Sequence, residues 1–319
     1  MGFSLLLENL TNPALLFFVL GLVAVMIKSD LKIPANSSKF ISLYLLFSIG
    51  FKGGQELIHS HFSMEIIWSV VFGIGIACVI PFYTFFILKK KVGTYNAAAI
   101  SAAYGSISAV TFVTAVNYIE IHEIHFGGHM VAIMALMEAP AIIVGIALMR
   151  LYNGETGAHV SRNSLGHAFT NGSVVIILGS LLIGMLASDD QAEGIKPFTT
   201  DIFNGFLAIF LLDMGISSGK KLGDFFHHGK FVLGFAILVP LVNGCITAII
   251  SQIITQDVGN RFMFAILAAS ASYIAVPAAM KVVAPKANPS LYLPMALAIT
   301  FPVNITVGMP IYLYLAEHY

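Results

Sequence analysis

Ala102-Ala103-Tyr104-Gly105-Ser106-Ile107-Ser108-Ala109-Val110-Thr111 lies midway along an apolar run long enough to cross a bilayer, yet its residues resist a continuous helix. Gly105, Ser106 and Ser108 weaken helical structure at a depth where lipid cannot solvate a free amide. A second stretch, Ala268-Ala269-Ser270-Ala271-Ser272-Tyr273-Ile274-Ala275-Val276-Pro277, stands 166 positions later (109 to 275) and repeats the outline, with Pro277 where Thr111 stands. The pair predicts two interrupted membrane helices, with the other segments arranged to hold them.

Composition agrees. Of 319 residues, 58% are hydrophobic and 10% charged, and the mean hydropathy is +0.89. So little charge cannot cover a soluble globule of this length, and the chain is expected to be an all-α polytopic membrane protein. Sixteen basic residues against sixteen acidic ones give no nucleic-acid signal. Cys78 and Cys245 both fall inside apolar runs, where a small packing residue is the plainer reading than a disulfide. The first apolar run has no basic region before it and no small-residue cleavage site after it, so it reads as a retained helix.

Ten apolar segments can be marked, at 13–28, 36–51, 66–88, 94–117, 127–151, 172–188, 198–217, 230–254, 259–282 and 289–315. The second and seventh are short or tilted. Thr11-Asn12-Pro13 and Asn288-Pro289 place a cap and then a proline at the start of the first and tenth. Loops after odd-numbered segments hold thirteen of the sixteen lysines and arginines, among them Lys89, Lys90, Lys91, Lys220 and Lys221; Lys52, Lys196 and Arg261 are the other three. Basic residues stay on the cytoplasmic side, so both termini are expected outside.

An internal repeat is visible on direct comparison. Leu46, Gly50, Gly54 and Leu57 reappear 165 residues on as Leu211, Gly215, Gly219 and Leu222. Gly75 and Pro81 match Gly234 and Pro240, and Leu20-Gly21 matches Leu178-Gly179. Each half holds five segments. Because five is odd, the second copy enters the membrane upside down, giving ten transmembrane helices as two inverted five-helix repeats with helices 4 and 9 broken. The predicted boundaries are 1–152 for the first repeat, 153–171 for a cytoplasmic linker and 172–319 for the second repeat.

Where a helix breaks, the next half-helix begins with unpaired N–H groups and a positive dipole end, which suits an anion. Gly105, Ser106, Ile107 and Ser108 in the first break, with Ser272, Tyr273, Ile274 and Ala275 in the second, are the candidate anion-binding positions. Ser106, Thr111 and Ser272 offer hydroxyl oxygens to a sodium ion. Glu138, Asp213 and Asn304 are further candidate ligands, since carboxylates within a membrane are costly and usually functional. Each has a plainer alternative. Serine and alanine allow close helix packing, Glu138 and Asp213 can be carboxylic acids kept protonated or pair with a lysine at the helix end, as Asp213 can with Lys220 about two turns away, and Asn304 can bond a backbone group. His122, His125 and His129 are spaced for a surface zinc site, against which stands the commoner solvated loop histidine. No Ser/His/Asp arrangement, phosphate loop or intramembrane aspartate pair supports an enzyme.

The motifs at 104–111 (YGSISAVT), 137–140 (MEAP), 211–215 (LLDMG), 270–279 (SASYIAVPAA), 287–291 (ANPSL) and 308–310 (GMP) resemble those of the sodium-dependent bicarbonate transporter family, with fainter support from 49–54 (IGFKGG). The resemblance covers nearly the whole chain. It implies a ten-helix fold divided into a gate and a mobile core, bicarbonate and sodium held where helices 4 and 9 break, a homotrimer, an elevator-like stroke, and a place in the bacterial inner membrane. The only cofactor-like species it implies is sodium, as coupling ion. Three departures from the cyanobacterial pattern stand out. Tyr273 replaces part of a serine run ending in aspartate; Glu138 stands for aspartate and Asp213 for an apolar residue; and the 153–171 loop is short where cyanobacterial members have a long one that meets a PII-like regulator, which leaves that partner open.

The expected function is sodium-coupled symport of bicarbonate or a similar small anion. The alternatives are a sodium/proton antiporter or organic-anion carrier of related fold, and an anion-binding membrane receptor that carries no flux.

Overall fold

Apolar sequence without strand periodicity satisfies its backbone in lipid by coiling into helices. The computed structural model describes residues 13–59, 63–153, 172–225, 229–273, 276–277, 279–280 and 284–319, and among them every regular element is helical. Six runs are long and apolar enough to cross a membrane, so the chain is a polytopic helical membrane protein. Most of the predicted linker, 154–171, lies outside the described residues.

The chain opens with α1 (Pro13–Met26), α2 (Ala35–His59) and α3 (Met64–Val92). Two short helices follow, α4 (Thr94–Gly105) and α5 (Ala109–Ile121), and then α6 (His129–Asn153). The remainder comprises α7 (Gly172–Leu186), α8 (Asp189–Lys196), α9 (Phe203–Phe225), α10 (Lys230–Ile250), α11 (Val258–Ala269) and the long run α12 (Pro289–His318). Pro289 sits at the first position of α12, and the Asn288 side chain accepts a hydrogen bond from the Ser290 amide, as the cap-then-proline reading predicts.

Segment lengths differ from the apolar runs where packing carries a helix past its apolar stretch. The second segment is predicted short, at 36–51, but α2 runs on to His59 through Lys52, Gly53, Gly54, Gln55 and Glu56. Gln55 holds it there by donating its side-chain amide to the Gly184 and Ala187 carbonyls at the end of α7. α12 continues past Pro302, with a π-helical stretch on either side of it, Met295–Thr300 and Asn304–Gly308.

Glycine decides how the outer pairs meet. α1 packs along α9, and α2 along α7. At the first crossing, a methyl group added to Gly21 would overlap the Leu212 carbonyl, and one added to Gly215 would overlap that of Phe18. At the second, Gly54 lies against the Leu181 carbonyl and Gly184 against that of Phe51. Backbones this close exclude any side chain, which is how small residues drive helix association in lipid. The remaining helices form a second group, with α3 and α6 around α4, and α10 and α12 around α11.

Candidate functional site

Both predicted interruptions exist. α4 and α11 are each twelve residues long, and each ends at a serine in extended conformation, Ser106 (φ −87°, ψ 174°) and Ser270 (φ −82°, ψ 165°). Their backbones correspond over 164 positions (106 to 270), two fewer than the side-chain outline gives, because the feature that repeats is the extended serine closing each helix. Gly105 is required at the first break, where any side chain would overlap the ring of Pro81 on α3. From 97 to 119 every residue but Ala109 is buried, so the opened backbone meets protein instead of lipid.

The two breaks touch each other. The Ser272 amide donates to the Ala103 carbonyl at 2.8 Å, and the Ser108 amide donates to Ser270 Oγ at 3.1 Å. Ser270 in turn donates to the Leu267 carbonyl at 3.2 Å. Ser108 and Ser272 also play matching local roles. Ser108 Oγ accepts from the Thr111 amide at 3.2 Å, capping α5, and Ser272 Oγ accepts from the Val276 amide at 3.3 Å. These bonds leave the Ile107, Ala109 and Val110 amides at the head of α5 without a hydrogen-bond acceptor among the described residues. The Ser106 hydroxyl is fully buried, 0% exposed, and no hydrogen bond reaches it among the described residues.

Neighbouring helices brace the crossing through polar groups that proline releases. Pro240 has no N–H to offer the Ala236 carbonyl one turn back in α10. Thr300 of α12 fills that place, donating to the Ala236 carbonyl at 2.7 Å, and accepts from the Tyr104 hydroxyl at 2.7 Å. Asn304 is fully buried as well; its Nδ2 donates to the Ala269 carbonyl at 2.7 Å, while its Oδ1 accepts from the Tyr312 hydroxyl at 2.9 Å. Sequence reasoning finds Asn304 but misses Tyr104 and Thr300, whose partners lie on other helices, and Tyr312, whose partner lies two turns back on α12.

The candidates fall into three places. Gly105, Ser106, Ile107, Ser108, Thr111 and Ser272 gather at the crossing, and Asn304 adjoins it. Asp213 (9% exposed) and Tyr273 share a cavity of about 1110 Å³ between α2, α7 and α9, with Lys32, Lys39 and Lys220 among its lining. Asp213 accepts a hydrogen bond from the Ser38 hydroxyl, and Lys220 forms no ion pair with it. Glu138 is buried, 6% exposed, on α6, which packs along α3 and α4. Ile274 and Ala275 lie outside the described residues. The histidines do not assemble a metal site: His122 Nδ1 is engaged with the Tyr118 carbonyl at 2.8 Å, and no group of three metal-binding side chains forms among the described residues.

Hydroxyls, open amides at a helix start and carbonyls at a helix end meet here within a buried crossing. Such a constellation can hold a small anion beside a hard cation. A family model described as the Na+-dependent bicarbonate transporter superfamily matches residues 13–317. No curated protein matches the chain.

Proposed function

Because the chain belongs to the Na+-dependent bicarbonate transporter superfamily, we propose that it is a sodium-coupled symporter that brings bicarbonate or a similar small anion into the cell. In this reading ten helices span the membrane as two inverted five-helix repeats, with both termini outside. The exchange of partners supports inversion: α1 lies on α9 as α7 lies on α2, so a two-fold axis in the membrane plane would carry one pair onto the other. Helices α4 and α11 end alike, and their serines serve alike.

The observation that carries the reading is the direct hydrogen bonding of one break to the other inside the protein. The anion binds at the open amides of Ile107, Ala109 and Val110, where the dipole of α5 is positive. Sodium binds beside it, at the negative ends of α4 and α11, with Ser106, Ser272 and, from the first turn of α5, Thr111 supplying hydroxyls. Pairing the two ions removes the net charge, which otherwise costs about 2.3 kcal/mol per 100 mV of opposing potential. The cavity lined by Lys32, Lys39 and Lys220 is the cytoplasmic approach, leading past Asp213 to Tyr273. Here Asp213 serves as a station on the path, beside Tyr273 of the second break.

Labelled bicarbonate uptake into proteoliposomes, with and without a sodium gradient, tests the reading. The intact chain concentrates label only with the gradient, and Ser106→Leu abolishes uptake without affecting insertion. Normal sodium-driven uptake by that variant would refute the site. The Asp213 cavity favours one rival, a sodium/proton antiporter or organic-anion carrier. Proton movement driven by sodium in the absence of bicarbonate would establish the rival instead.

A further inference from the structure

Ala269 is the last residue of α11, so no amide one turn on is available to its carbonyl, and it stands at the negative end of the helix. That carbonyl faces the fully buried Asn304 side chain, whose Nδ2 donates to it at 2.7 Å. The amide of Asn304 therefore occupies the position in which a cation would sit. Its orientation is set by Tyr312, one turn beyond the π-helical Asn304–Gly308 stretch, whose hydroxyl donates to Oδ1 at 2.9 Å. Tyr312 is fully buried. Its ring fills the space over Gly244 of α10 and Gly308 of α12, where any added methyl group would press against it.

We infer that Tyr312 is a positioning residue for cation coupling: through Asn304 it keeps the Ala269 carbonyl occupied until sodium displaces the amide. The carbonyl has two lone pairs, and a sodium ion that takes the one Nδ2 now uses must expel the amide. The side chain can then serve the ion only by presenting Oδ1, which the Tyr312 hydroxyl already holds. Tyr312 thus opposes sodium binding and restrains occupancy of the site at low sodium. The inference rests on the symport reading and names the residue that tunes it.

The test is the sodium dependence of bicarbonate uptake by the full chain in proteoliposomes. Tyr312→Phe keeps the packed ring and removes only the hydroxyl. Losing one neutral hydrogen bond lowers the sodium concentration for half-maximal uptake about fivefold, with the KM for bicarbonate at saturating sodium unchanged. Gly308→Ala disturbs the same bond from a different side, since its added methyl group meets both Asn304 Oδ1 and the Tyr312 hydroxyl at 2.9 Å; it shifts sodium dependence in the same direction and decides the matter if Tyr312→Phe is not inserted. Tighter sodium dependence is a result that mere structural damage does not produce. Unchanged or weaker sodium dependence in these variants overturns the inference while leaving symport intact. A wild-type chain whose uptake ignores sodium overturns both.

Discussion

Ser270 shows how one hydroxyl can join two distant parts of a chain. It accepts from the Ser108 amide and donates to the Leu267 carbonyl, so its loss strands a buried amide at the head of α5. An unsatisfied buried donor costs about 1–3 kcal/mol. Ser270→Ala is therefore expected to cut sodium-driven uptake about tenfold while the protein still inserts; wild-type uptake rates would show that the bond across the breaks has no part in the site. Arg261 makes a similar point. As sequence it is one of three basic residues on the lysine-poor side, but in the structure it is only 5% exposed. Its guanidinium donates to the Ala248 carbonyl at 2.9 Å and the Ala316 carbonyl at 2.8 Å, near the ends of α10 and α12. A cation over two helix C-termini suits both dipoles and fastens three helices together. Serines at the breaks were legible because a polar residue in an apolar run is a local anomaly. The roles of Arg261 and Tyr312 were not, because their partners lie 13 and 55 positions away for the first and on a π-turn for the second.

At the scale of elements, the glycines carry the lesson. Comparison of the halves matches Gly21 with Gly179, but the structure gives the crossing role to Gly184, and a side chain at Gly179 would meet nothing. Sequence identity fixes which residues are small; it does not reveal which face of the helix meets its partner. The consequence is measurable on a single helix. Gly184→Leu must push α7 off the Phe51 carbonyl of α2 and is expected to cost about 2 kcal/mol or more. Gly179→Leu is expected to leave stability within about 0.5 kcal/mol. Thermal unfolding in detergent separates the two, and equal effects would mean that the α2/α7 crossing is placed elsewhere.

The whole molecule divides into the pairs α1/α9 and α2/α7 and the group around the breaks. On the side of the termini, the two sets are latched by Lys52 to Glu120 at 2.6 Å and by Asn117 Nδ2 to Asn204 Oδ1 at 2.7 Å. On the lysine-rich side, a cavity of about 1110 Å³ lies between α2, α7 and α9 and reaches Tyr273 and Leu297 of the second group. In the proposed transport cycle, relative movement of the two sets would open that latch. A cross-link between Asn117→Cys and Asn204→Cys, in a chain with Cys78 and Cys245 replaced by alanine, is expected to reduce uptake more than about tenfold, with recovery on reduction. Full transport by the cross-linked protein would rule out movement at this place. The sequence by itself determined that the chain is a helical membrane protein, that its helix is interrupted near Ser106 and Ser270, and which family its motifs resemble. Those properties follow from local hydropathy and from residues that weaken a helix wherever they stand. Only the tertiary structure decided that the two breaks bond to each other, that Asp213 faces a cavity onto which Tyr273 of the second break also opens, and that Asn304 covers the Ala269 carbonyl. Each of these depends on which distant backbone group a side chain meets, and packing alone sets that.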